Sequence, residues 1–164
     1  MINQTVQKAL NEQIQKEFAS AYLYLSMAAH FEHENLPGLA HWMKGQAKEE
    51  MGHGMRIFEY INERGGQVVL GAIEKPDADF GSPAEVFQQT LEHERKVTAS
   101  INALYELAVK EKDYPTQIHL QWFINEQVEE ENTAETILEK IKALDETGMH
   151  PLLIMDAQLG KREG

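Results

Sequence analysis

The chain has 164 residues, a length that fits one domain with a hydrophobic core of its own. It contains no cysteine, which excludes a disulfide framework, a zinc site with thiolate ligands and an iron–sulfur cluster. Its net charge of -12 argues against nucleic acid or an anionic membrane as a partner, because both require a basic surface. Without a signal-like N-terminus or a stretch of roughly 20 apolar residues, the expected location is the cytoplasm.

The first half of the chain predicts a helical hairpin. Apolar residues at helical spacing predict one helix from about Thr5 to Glu34 and a second from about Leu39 to Arg64. Asn35-Leu36-Pro37-Gly38 is interpreted as a helix-breaking link, and Gly65-Gly66 as the end of the second helix. Because the link is short, we expect the two helices to lie antiparallel.

The second half predicts another hairpin after a long connection. Residues 67–81 lack helical periodicity, whereas Ser82-Pro83-Ala84-Glu85 is a capping box that starts a third helix, predicted to end near Glu111. A break at Lys112-Asp113-Tyr114-Pro115 precedes a fourth helix, predicted to run to about Glu146 and to stop at Gly148.

These elements predict an all-α fold in a single domain of residues 1–164. Two hairpins and a long crossover form a four-helix bundle over about residues 5–146. A short apolar helix at about residues 151–160 follows the bundle. An exposed apolar segment on a small bundle indicates self-association.

Acidic residues interrupt the apolar faces of all four long helices. In the first helix, Glu17 lies within the stripe Leu10, Ile14, Ala21 and Leu25. One buried, unpaired carboxylate costs several kcal/mol, so four in one core require a cation between them. The four residues, one on each long helix, are Glu17, Glu50, Glu94 and Glu130.

The residue types favour two iron ions. His53 follows Glu50 by three positions and therefore shares its helix face. Carboxylates are hard ligands that also bridge cations, and imidazole adds borderline character, so the set suits iron or manganese. If Glu50 bridges, one ion has Glu17 and His53 as its other ligands, and the second ion has Glu94 and Glu130.

Over essentially the whole chain, these residues, the helix lengths and the crossover resemble the ferritin family, specifically the bacterial non-haem ferritins. The resemblance implies oxidation of Fe(II) by O2 or H2O2 at a di-iron site, and storage of the ferric mineral inside a 24-subunit cage. It thus implies iron storage and detoxification. The implied ferroxidase ligands are Glu17, Glu50, His53, Glu94 and Glu130, with Gln127 beside them, and a third iron site is implied at Glu49, Glu126, Glu129 and Glu130.

Three further questions concern the role of Tyr24, the binding of haem and the distinction from other di-iron proteins. Tyr24 lies two turns after Glu17, where it either has a catalytic role, by a hydrogen bond to a ligand or by supplying an electron, or is a core tyrosine with its hydroxyl satisfied. Met51 occupies the haem-ligating position of bacterioferritins, but non-haem ferritins often carry methionine there, and no haem is expected. The fourth helix reads Gln127-Val128-Glu129-Glu130 rather than a second Glu-x-x-His, which favours a ferritin. The alternatives are a di-iron oxidase or peroxidase with a fixed metal pair, and a metal-free interaction protein.

Overall fold

A computed structural model describes residues 1–145 and 149–163, and within them every regular element is an α-helix. The all-α prediction is therefore confirmed. The predicted end of the fourth helix at Glu146 and its stop at Gly148 lie outside the described residues. The helices are α1 (Gln4–His33), α2 (Pro37–Glu63), α3 (Pro83–Lys110), α4 (Tyr114–Asp145) and α5 (Met149–Leu159).

The first hairpin pairs α1 with α2 in antiparallel orientation. Near one end of the pair, the backbone N–H of Ile2 donates to the carbonyl of Arg64 over 3.1 Å. Near the other end, the Lys44 ammonium lies 2.6 Å from the Glu32 carboxylate. The start of each helix thus meets the end of the other, as the short link between them predicts.

The second hairpin pairs α3 with α4 in the same way. The Gln117 side chain donates to the carbonyl of Ala108 beside the turn, and the Lys142 ammonium reaches Gln88 at the far end. Residues 67–81, which contain no helix, connect the two hairpins as the predicted crossover. α1 also packs on α3, while α5 packs against both α2 and α4. Within the described part of the chain, no helix combines the length and the apolarity needed to cross a membrane.

Two prolines that were interpreted as helix breakers lie in the first turns of helices. α2 begins at Pro37 rather than at Leu39, and α4 begins at Tyr114, so Pro115 is its second residue. The first N–H groups of a helix have no partner within the helix, and proline, which has no N–H, loses nothing there. α5 likewise begins at Met149, earlier than the predicted residue 151.

A layer of buried polar side chains divides the apolar core in two. One apolar cluster includes Phe31 and Phe87, and the other includes Ile14 and Phe123. Along α3 and α4 the polar residues lie between the parts of each helix that contribute to the two clusters, and along α1 and α2 they lie at the same boundary. The layer contains Gln13, Glu17, Gln46, Glu50, His53, Glu94, Gln127 and Glu130.

The predicted stripe of α1 was wrong at one position. Leu25 is 49% exposed, whereas Tyr24 is fully buried. A helix turns by about 100° per residue, so Leu25 lies about 80° around the helix from Glu17, while Tyr24 lies only about 20° away. Tyr24, not Leu25, therefore continues the buried face beyond Glu17.

Asp156 of α5 caps the start of α2. The N-cap residue of α2, Leu36, makes no side-chain capping bond. Instead, the buried Asp156 carboxylate accepts a 2.8 Å hydrogen bond from the backbone N–H of Leu39. Gly38 permits this approach, because a Cβ atom there would lie 1.7 Å from the carbonyl oxygen of Asp156. The C-terminal helix is thus attached to the bundle through a helix cap.

Asp156→Ala should lower the thermal stability of the protein. Loss of a capping side chain costs about 1 kcal/mol, or roughly 2–4 °C in Tm for a domain of this size. The measurement is thermal unfolding followed by circular dichroism, with Asp77→Ala as the matched control, because Asp77 is exposed on the crossover. Equal Tm values for the two variants would contradict the capping role.

Candidate metal centre

The five predicted ferroxidase ligands all lie in the polar layer. α1, α3 and α4 supply Glu17, Glu94 and Glu130, and α2 supplies Glu50 and His53. None of the five is more than 9% exposed. The burial that the apolar stripes predicted for four carboxylates is therefore present in the folded chain.

One group of three ligands matches the set predicted for the first ion. Glu17, Glu50 and His53 offer ligand atoms that all lie within 4.8 Å of one another. Among the described residues, Glu17 Oε2 and both carboxylate oxygens of Glu50 are buried without a hydrogen-bond partner. Leaving such atoms unsatisfied is costly, and a cation between them would satisfy all three oxygens. The donor set fits iron.

A second group of possible ligands contains Glu130 without Glu94. Ligand atoms of His53, Glu126 and Glu130 lie within 4.8 Å of one another, and neither group of three found in the described part of the chain includes Glu94. The two oxygens of Glu94 accept hydrogen bonds from the Tyr24 hydroxyl and from the Gln127 amide, the latter over 3.1 Å. The pairing of Glu94 with Glu130 stays a prediction, and Glu126, assigned to the third site by resemblance, lies within ligand distance of His53 and Glu130.

Burial and mutual repulsion make these carboxylates weak acids. Burial raises the pKa of Glu17 well above its usual range, with repulsion from Glu50 adding to the effect. Burial and then repulsion from Glu94 raise the pKa of Glu50 in the same direction. Burial and the Glu94 charge likewise raise the pKa of Glu130 to about 7. Without a cation the layer therefore holds protons near neutral pH, and a cation that binds displaces them.

Two glutamines that the sequence analysis did not identify hold predicted ligands in place. Gln13 donates to Glu17 over 2.8 Å, and Gln46 donates to Glu130 over 2.8 Å. Both glutamines are 1% exposed. A signal was available, because each lies four residues before a predicted ligand on its own helix, and an amide on an apolar face is itself anomalous.

Gln13→Ala should weaken metal binding about tenfold, because partners that orient a ligand typically contribute 10–100-fold in affinity. The Gln13 amide is itself oriented by Ser100, whose hydroxyl donates to Gln13 Oε1 over 2.7 Å. The measurement is calorimetric titration with Fe(II) in the absence of oxygen. Gln89→Ala is the control, because the Gln89 amide bonds only the backbone carbonyls of Phe80 and Glu85. Equal affinity in both variants would exclude the positioning role.

A cavity of about 590 Å³ opens beside this layer, between α2, α4 and the C-terminal segment. Glu126 is half-buried, and Glu49 and Glu129 are exposed. Glu49 forms an ion pair with Arg162, whose Nη2 lies 2.7 Å from Glu49 Oε2. The cavity is lined by all four residues predicted for a third iron site, which are Glu49, Glu126, Glu129 and Glu130.

Comparison with known proteins places this arrangement in a family. Residues 7–144 match the family model of the ferritin-like domain. The chain belongs to the ferritin family. A bacterial non-heme ferritin of Bacteroides fragilis (strain 638R) is 46% identical over 162 residues, covering 99% of this chain and 100% of that one. A second bacterial non-heme ferritin, from Staphylococcus epidermidis, is 39% identical and covers 99% of this chain and 97% of the relative.

Solved ferritin structures show the same architecture. An Archaeoglobus fulgidus ferritin engineered into a closed form by site-directed mutagenesis has a TM-score of 0.98 and 44% identity, with 99% of each chain covered. An open pore ferritin from the same hyperthermophilic archaeon has a TM-score of 0.96 and 43% identity, covering 99% of this chain and 100% of that one. The predicted resemblance to ferritins and the predicted bundle with a short C-terminal helix are confirmed.

Proposed function

We propose that this ferritin stores iron by oxidising Fe(II) to Fe(III), with O2 or H2O2 as the oxidant, at its buried carboxylate layer. The observation that carries the proposal is the set of unpartnered oxygens on Glu17 and Glu50, which face His53 inside the bundle. Family membership supports the iron chemistry. A metal-free interaction protein has no evident reason to bury these carboxylates without partners.

The substrate is a pair of Fe(II) ions. Glu17, Glu50 and His53 would bind one ion, and Glu130 with Glu126 or Glu94 would bind the other. Each ion gives up one electron, so the pair supplies the two electrons that, with two protons, convert O2 to H2O2. The chain's own part is to hold the ions together in a site closed to bulk water, and to release protons from the carboxylates as the cations bind.

The proposal includes assembly into the 24-subunit cage implied by the sequence resemblance. Two apolar regions on the outside of the subunit support self-association. Val69 and Leu70 on the crossover are 59% and 61% exposed, and Leu153 and Ile154 on α5 are each 52% exposed. Burial by neighbouring copies removes this surface from water. The cytoplasmic location likewise remains a proposal that rests on the family.

The function is tested by adding tens of Fe(II) ions per chain in air and following iron and protein together through gel filtration. We expect far more than two irons per chain, eluting with a particle of several hundred kilodaltons. The control is the same loading under argon, where only ions bound at the subunit sites should remain. Two irons per chain on a small species would favour a di-iron oxidase, and no retained iron would refute the metal centre.

A further inference from the structure

We propose that Arg162 is a tethered cation that occupies Glu49 and thereby controls when the third iron ion binds. The inference rests on the proposed function for the identity of the metal, and on the third iron site that the resemblance implies. Arg162 follows α5, and its guanidinium enters the cavity that Glu49, Glu126, Glu129 and Glu130 line. Its Nη2 lies 2.7 Å from Glu49 Oε2, so one of the four carboxylates already has a positive partner.

Three further contacts hold Arg162 against α2. Nη1 donates to the backbone carbonyl of Trp42 over 3.2 Å, and the guanidinium carbon lies 5.0 Å above the centre of the Trp42 ring. The Arg162 carbonyl accepts a 2.7 Å hydrogen bond from His41 Nε2. Both the backbone and the side chain of Arg162 are therefore fixed, which distinguishes it from a freely moving surface arginine.

Gly45 has no side chain and therefore leaves space for the Arg162 guanidinium. A Cβ atom at Gly45 would lie 3.2 Å from three guanidinium atoms of Arg162, closer than ordinary van der Waals contact. The neighbouring Lys161 lines the same cavity and is exposed, but it forms no ion pair with Glu49. Two adjacent cations thus border the acidic cavity, and Arg162 is the one placed on a carboxylate.

An iron ion that needs Glu49 must compete with this arginine. A carboxylate can bridge two metal ions, but the Arg162 guanidinium already contacts Glu49 Oε2 and repels an iron ion at short distance. Binding of the third ion therefore requires the guanidinium to leave Glu49, and by linkage an iron ion in the cavity weakens the attachment of Arg162 by the same factor. Glu17, Glu50 and His53 lie outside this cavity, so the first ion does not face this competition.

The test is a binding isotherm with Fe(II) alone, without oxygen, for the wild-type protein, Arg162→Gln and Lys161→Gln. Arg162→Gln should bind the third ion about fivefold more tightly, the upper range for release of a solvent-accessible ion pair. The first ion should bind equally in all three proteins. Lys161→Gln removes the same charge from the same cavity, and should change the third affinity by less than about twofold, because screened charges without direct contact interact weakly.

A second variant tests whether competition between Arg162 and the third ion for Glu49, rather than the loss of a positive charge, changes the affinity. Gly45→Ala changes no charge, but its methyl group crowds the Arg162 guanidinium, so it should also tighten binding of the third ion.

Equal third-ion affinity in Arg162→Gln and Lys161→Gln would overturn the inference while leaving the proposed function intact. Failure of the wild-type protein to bind any Fe(II) would instead refute the proposed function, and the inference with it.

Hydrogen exchange supplies a further measurement. It would not change with iron loading if Arg162 had only a structural role. Exchange of the C-terminal peptide after residue 159 should accelerate when the third ion binds, and not when the first ion binds. Glu49→Gln should abolish this acceleration, because Arg162 then has no ion pair with Glu49 for the third ion to displace. Constant protection of this peptide at every iron loading would show that Arg162 is not displaced.

Discussion

Replacing Glu50 with glutamine is expected to eliminate rapid Fe(II) oxidation while making the metal-free protein more stable. Glu50 is 0% exposed, and neither of its oxygens has a hydrogen-bond partner. The neutral amide removes the cost of either ionising this buried carboxyl or keeping it protonated near neutral pH, so the free energy of unfolding should rise by about 1–3 kcal/mol. Because the amide is a poor iron ligand, the initial oxidation rate should fall about 100-fold or more.

The pair of measurements is more informative than either one alone. Ferric product is followed by stopped-flow absorbance, and stability by thermal unfolding in the presence of a chelator. Glu59→Gln is the matched control, because Glu59 is on the same helix but exposed. A metal-free interaction protein would also gain stability from Glu50→Gln, so a gain by itself does not decide between the functions. Wild-type oxidation speed in Glu50→Gln would exclude the proposed role.

The metal-free protein is expected to lose stability as the pH rises from about 5 to about 8. An ordinary glutamate has a pKa of 4.5, whereas burial and the nearby Glu94 charge raise the pKa of Glu130 to about 7. Below both values the group is protonated in either state and costs nothing. Between them the unfolded chain releases a proton that the folded chain keeps, so folding becomes less favourable. Above both values the full penalty from Glu130 is about 3 kcal/mol.

The pH dependence is measured as apparent Tm in the presence of a chelator, for the wild-type protein and for Glu130→Gln. The variant cannot ionise at this position, so its curve should be flatter over the same range. The net charge of -12 destabilises both proteins as the pH rises, and the comparison removes that shared effect. Parallel curves would contradict the raised pKa of Glu130. Bound metal should reverse the trend, because it requires the ionised carboxylates.

The burial of the four acidic candidate ligands was predictable because charge conflicts with an apolar face. Glu17 and Glu94 stood out for that reason, and the helical repeat placed them in the core without knowledge of any contact. Gln46 obeys the same repeat, and its amide signals a buried polar group, but its partner Glu130 lies 84 positions away on another helix. Such a pairing depends on how the helices pack against one another. Residue spacing within one helix carries no information about that packing.

The hydrogen-bond partners of Glu94 were also beyond the sequence. Glu94 and Glu126 are both acidic and both lie on the predicted helices, but side-chain rotation decides which atoms each carboxylate contacts. In the folded chain, Tyr24 and Gln127 donate hydrogen bonds to the oxygens of Glu94.

The predicted starts of α2 and α4 were wrong for a different reason. A proline in the first turn of a helix has the same local sequence as a proline in a link between helices.

The cap on α2 links the order of synthesis to the completion of the subunit. The backbone N–H of Leu39 donates its hydrogen bond to Asp156, a residue 117 positions later in the chain. At about 5–20 residues per second, the ribosome adds Asp156 about 6–23 s after Leu39. During that interval the first hairpin can form, but the first turn of α2 has no cap. A chain released before Asp156 therefore lacks this cap, so the stability of the first turn of α2 depends on translation of the last helix.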